Sequence, residues 1–170
     1  RCVLCLMLAC SVLAGCRAHA GAGTGKPVQM DDALKLEVLE GRCVAVYRDA
    51  SRMTLEPKPP CVFAQNEGGR LRAFAYPDVK VDAALMVIGA PLSEEEREKR
   101  RLPADLFCGT EAQGILIKGG VARASKTTQS QGMVCATSGV DEKRFWMFAV
   151  TQAGHKVKNI HPTACANDPI

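Results

Sequence analysis

Hydrophobic and polar positions divide the chain into three unlike stretches. Cys2–Gly15 is almost continuously apolar and carries no charge. Arg17–Gln29 is rich in Gly and Ala and shows no apolar period. From Asp31 onward, short apolar runs alternate with turn residues. Within this third stretch Asp31 or Asp32 is positioned to cap a short helix reaching about Glu40. Leu34, Val38 and Leu39 lie near one face of it, and Gly41 stops it; a strand is the alternative for part of the segment.

The following runs read as strands. They are Cys43–Tyr47, then Cys61–Gln65 and Arg70–Tyr76 joined as a hairpin around Asn66–Gly69, then the continuous apolar run Ala83–Ile88. Glu56–Pro60 contains three prolines and cannot be a central strand. Ile115–Lys118 and Val121–Ala124 flank Gly119-Gly120, a two-residue turn that readily takes positive φ. Met133–Thr137 and Phe145–Val150 read as two further strands around the polar loop Ser138–Arg144.

Ser93-Glu94-Glu95-Glu96 has capping-box spacing, and Glu95→Lys99 and Glu96→Arg100 are i,i+4 pairs in the favourable order. A short, exposed, charged helix over Ser93–Arg101 is expected. The fold expected is mainly β or α+β: a single small domain over residues 31–170, with a largely antiparallel sheet of about eight strands and one or two short helices.

The first stretch carries a resemblance. Cys2–Gly15 is too short for a membrane-spanning helix, which needs about 20 residues, and it suits the apolar region of a signal peptide, with Arg1 as remnant of a positive start. Leu13-Ala14-Gly15-Cys16 resembles the lipobox of bacterial lipoproteins. The resemblance implies that the Cys16 thiol is joined to a diacylglycerol and that residues 1–15 are removed. Residues 16–30 then form a lipid-anchored tether, spanning on the order of 20 Å by the Gly-rich coil estimate. It further implies a cell-envelope protein. Arg17, where inner-membrane retention signals carry Asp, favours the outer membrane, with the domain in the periplasm. Cys2-Val3-Leu4-Cys5 matches a CxxC pattern but lies in the segment removed.

Five of the nine cysteines follow the anchor: Cys43, Cys61, Cys108, Cys135 and Cys165. An exported compartment permits disulfides. Cys43–Cys61 is the pairing expected around the proline-rich segment and Cys108–Cys135 around the second hairpin, leaving Cys165 over.

Charge changes the picture little. A net +4 over 170 residues is a mild excess, and no basic stripe with interleaved aromatics suggests nucleic acid. His155, His161 and Cys165 lie close in sequence but lack the spacing of a zinc or nucleophile motif. Asp78, Asp82, Asp105, Glu111 and Asp141 are scattered over predicted loops. No metal, cofactor or enzymatic activity is expected.

The polar stretch Ala124–Gly132 reads as a binding loop, with Ser125, Lys126, Gln129 and Gln131 as contact residues and the charged helix as the competing surface. Together these point to a membrane-anchored protein-binding module, an inhibitor or immunity protein against a periplasmic toxin or hydrolase. A structural lipoprotein of envelope assembly or of a secretion apparatus is the alternative, and an unrecognised hydrolase the third reading.

Overall fold

Two long apolar strands, each buried on both faces, set the architecture. The computed structural model describes residues 24–30, 33–130, 132–138 and 140–152. Its strands are β1 (Lys26–Val28), β2 (Leu34–Leu39), β3 (Arg42–Tyr47), β4 (Ser51–Thr54), β5 (Val62–Phe63), β6 (Ala73–Tyr76), β7 (Val81–Pro91), β8 (Cys108–Lys118), β9 (Val121–Gln129) and β10 (Val134–Cys135). Its helices are α1 (Glu94–Lys99) and α2 (Glu142–Gln152). The domain is mainly β, and every strand pair is antiparallel.

The main sheet runs β1-β6-β7-β8-β10, with β5 sharing the β6 side of β7 and β9 sharing the β10 side of β8. Side chains alternate across a strand, so β7 serves two cores. Ala84, Met86 and Ile88 meet Phe145, Phe148 and Ala149 of α2. Ala83, Leu85 and Val87 meet Cys43, Ala45 and Tyr47 of the second sheet, β2-β3-β4. The domain is therefore layered: helix α2, the seven-stranded sheet, then the three-stranded sheet.

Both expected disulfides form. Cys43–Cys61 ties the small sheet to β5, and Cys108–Cys135 ties β8 to β10. The Gly119-Gly120 hairpin forms as expected, with φ of 55° and 77°.

Several expected elements differ. Residues 34–39 form a strand, not a helix: Leu34 and Leu36 alternate inward, and Glu40-Gly41, both at positive φ, close a tight turn onto β3. Asp31 and Asp32 lie outside the described residues. Phe145–Val150 is helical instead of extended. Phe145, Phe148 and Ala149 fall at i, i+3 and i+4 on one buried face, and the Asp141 carboxylate accepts the Lys143 N–H at 3.1 Å to cap the helix start.

Lys26–Val28, expected within the 16–30 tether, pairs with Ala73–Ala75 as β1 and so belongs to the sheet; residues 16–23 lie outside the described residues. The expected hairpin over 61–76 is reduced to one bridge, Gln65↔Leu71. Its two arms instead run one after the other along the same edge of β7.

Candidate binding groove between β9 and α2

The polar stretch expected to be a loop is for the most part strand β9, which reaches Gln129. A bulge opposite Gly114 breaks its register with β8, since Gln113 pairs with Thr128 but Ile115 pairs with Ala124. Ser125 fills that bulge and is 2 % exposed. Its hydroxyl accepts the Gly114 N–H at 3.1 Å and donates to the Thr127 carbonyl at 2.8 Å. It is therefore turned inward and is no contact residue; burial of a hydroxyl demands these internal partners.

Gln113, 4 % exposed, completes the bulge. Its amide nitrogen donates to the Ser125 carbonyl at 2.8 Å, and its amide oxygen accepts the Glu56 N–H at 2.8 Å. One side chain thus joins β9 to the proline-rich segment. Glu111, two residues earlier on β8, accepts the Lys58 N–H at 2.9 Å, and Ala90 N–H donates to the Lys58 carbonyl at 2.7 Å.

From the last residue of the bulge onward, Thr127, Thr128, Gln129 and Ser130 form one wall of a cleft of about 430 Å³. Arg144, Met147 and Thr151 form the other. Spacings of three and seven residues put these three on one flank of α2. That flank is set by the adjoining face, where Phe145 and Phe148 are fully buried. Gly114 is the seat: a Cβ there would lie 2.5 Å from Cγ of Phe148, so only glycine lets α2 approach β8 this closely. The Thr127 and Thr151 hydroxyls meet at 3.4 Å at one end, and Thr151 also donates to the Met147 carbonyl at 2.8 Å.

Of the expected contact residues, Gln129 lines the groove, Lys126 is exposed on β9 just before it, and Gln131 lies outside the described residues. Arg144, Met147 and Thr151 were not expected. Their signal was the helical spacing of residues 142–152, hidden while Phe145–Val150 read as a strand.

Three of the five scattered carboxylates have structural duties. Asp82 accepts the Gly119 N–H, Glu111 holds Lys58, and Asp141 caps α2. Glu142 accepts the Gly25 N–H at 2.9 Å, and its backbone carbonyl accepts the Tyr76 hydroxyl at 3.2 Å. Burial foremost, then neighbouring Glu142 and Asp141, pushes the Tyr76 phenol well above its ordinary range. It stays protonated and pins β6 to the start of α2, while the Glu142 carboxylate ties the entry of β1 to the same helix.

Helix α1 has no buried residue. Ser93 Oγ accepts the Glu96 N–H at 3.3 Å, while the Glu96 carboxylate pairs with Arg100 at 3.2 Å. Arg97 donates to the carbonyls of Pro103, Ala104 and Leu106, tying the helix to the segment after it.

A second cleft, about 610 Å³, lies between β1 and the 66–72 excursion, where the Arg72 guanidinium stands 5.6 Å from the Phe74 ring centre. Among the described residues no cluster of three or more His, Cys, Asp or Glu side chains suits a metal, and no helix is long and apolar enough to cross a membrane. Cys16, His155, His161 and Cys165 lie outside the described residues. No family model, curated protein or solved structure matches the chain.

Proposed function

We propose that this is a lipid-anchored envelope protein whose domain binds another protein, as an inhibitor or immunity protein guarding the periplasm against a toxin or hydrolase. Cys16 is the anchor in this reading, and the β9–α2 groove is the partner site. The observation that carries it is the groove's construction. A polar strand end and a helix flank with a half-buried cation face each other across about 430 Å³.

Their positions are held by a buried glutamine, a bulge serine and a disulfide at the neighbouring end of β8. Rigid groups suit inhibition, because ordering loops and side chains on binding costs affinity. The two disulfides fit an exported domain.

The test is affinity capture from envelope extracts by residues 17–170, followed by binding of the captured protein to Lys126→Glu/Gln129→Ala. The double variant weakens that binding while its melting temperature stays within the small range of surface changes, about 0.5 kcal/mol. Unchanged affinity removes the groove from the interface and moves it to α1. Hydrolysis by the purified chain, lost on Cys165→Ala, replaces the binding reading with an enzymatic one.

A further inference from the structure

Strand β9 pairs with β8 on one side, and among the described residues no strand pairs with its other side. The small sheet packs on the opposite face of the main sheet from α2. An open edge normally carries a guard against pairing with other chains, such as a lysine or a bulge. Here both guards, Lys126 and the bulge at residues 125–127, sit at the start of the groove, which begins at Thr127, the last residue of the bulge. Past Lys126, Thr127–Ser130 is uncharged and lies beside the α2 flank.

At an extended rise of about 3.3 Å per residue, these four residues offer an edge of roughly 10–13 Å. The walls of the groove carry one charge, Arg144, which has no ion-pair partner among the described residues. Met147, 37 % exposed, adds an apolar contact beside it.

We infer that the groove takes an extended acidic segment of a partner protein by strand addition. The segment pairs with the free edge at Thr127–Ser130, a carboxylate on it meets the Arg144 guanidinium, and an aliphatic side chain covers Met147. Main-chain pairing supplies affinity and the side chains facing the helix supply selectivity, as in other strand-addition sites. The charge of the segment follows from that of the groove. The inference rests on the groove being the partner site.

The probe is a displayed library of random linear dodecapeptides, selected on residues 17–170. The expected binders alternate β-branched residues and share one Asp or Glu. N-methylating alternate backbone nitrogens of a selected peptide weakens it at least about fivefold, and the intervening positions tolerate the change. Arg144→Gln weakens it about 10- to 100-fold, as loss of a charged hydrogen bond requires. Arg144→Lys restores part of the loss, Lys99→Glu on α1 changes nothing, and amidating the peptide's carboxylate has no further effect on Arg144→Gln.

A library that yields no binder, binders indifferent to Arg144→Gln, or binders without the alternating N-methyl response overturn strand addition. Capture of an envelope protein that still depends on Lys126 and Gln129 would then leave the partner-site reading standing, so the two fail separately.

Discussion

Gln113 is the side chain on which the geometry of the groove most directly depends, and two substitutions separate its duties. Gln113→Leu keeps the approximate volume and removes both polar contacts. The Glu56 N–H loses an acceptor at 2.8 Å, and the Ser125 carbonyl loses a donor at 2.8 Å. Each buried, unsatisfied group costs about 1–3 kcal/mol. The Glu56 contact is only partly buried, which places the sum near 3 kcal/mol, or about 6–12 °C in melting temperature for a domain of this size.

Gln113→Glu removes only the donor. One carboxylate oxygen still accepts from Glu56, while the other faces the Ser125 carbonyl inside the sheet. Burial and that oxygen raise the folded-state pKa of the introduced acid above its ordinary value of about 4.3. A raised folded-state pKa means that the folded form holds the proton more tightly. Its stability is therefore fully present below about pH 4, where the acid donates to Ser125 much as the amide does. It falls by about 1.4 kcal/mol per pH unit as pH rises towards the folded-state value.

The assay is urea unfolding of non-reduced protein, read by the fluorescence of Trp146 on α2 and checked by circular dichroism. The difference from wild type, taken from pH 3.5 to 7.5, cancels the titration common to both proteins. Gln113→Leu keeps a constant gap; the gap for Gln113→Glu is small at pH 4 and widens towards pH 7. A Gln113→Glu gap that is the same at pH 4 and pH 7 refutes the contact with Ser125. A Gln113→Leu loss below 0.5 kcal/mol, the size of a surface change, refutes the burial of both groups.

Cys43→Ala with Cys61→Ala should lower stability by about 3 kcal/mol, from the chain entropy of an 18-residue separation; non-reducing peptide mapping should recover Cys43–Cys61 and Cys108–Cys135, with Cys165 bonded to none of the four. Gly114→Ala, which sets a Cβ 2.5 Å from Phe148, should cost about 1–3 kcal/mol by overpacking. It should also weaken partner binding by lifting the α2 flank, whereas a stable variant with native affinity would show that α2 is not seated on this glycine. Cys16→Ser should abolish fractionation with membranes; retention after a high-salt wash would remove the lipid anchor from the reading.

The sheet was legible in the sequence wherever burial repeats over short distance. Ala83–Ile88 is apolar at every position because both faces of β7 are covered. The Gly119-Gly120 turn is encoded by the two residues that accept positive φ without strain. Both cysteine pairings were expected from the loops they would close, but five cysteines allow other connectivities, and it is the fold that brings these two pairs together. Helix α2 was not legible as such, because its apolar residues run together from Phe145 to Val150, and a run of that length suits a buried strand or a buried helix alike. The inward alternation of Leu34 and Leu36 in β2 was likewise masked by Val38 and Leu39, which are both exposed at the hairpin end.

The groove inherited the ambiguity of α2. Its β9 wall was singled out from composition, but its α2 wall exists only once residues 142–152 coil. Ser125 shows the limit of composition most directly. A serine amid polar neighbours reads as surface, yet a register shift that no local pattern announces turns it into the buried centre of a bulge.

That bulge also explains how a strand so polar is held in place. Thr127, Thr128 and Gln129 contribute little hydrophobic burial of their own, so their position is inherited from groups behind them. Gly114 admits Phe148, which sets the height of α2; Gln113 and Ser125 set the path of β9; and Glu142, bonded to Gly25, fixes the start of the helix against β1. Each of these contacts lies in or against the main sheet, so neither wall is a freely moving loop. A partner of the proposed kind would meet donors and acceptors already placed, and the ordering cost that weakens loop-borne sites would fall mainly on the partner. For the proposed partner site, whose one cation, Arg144, has no ion-pair partner among the described residues, rigidity of this kind is the physical route from modest contact area to selective binding.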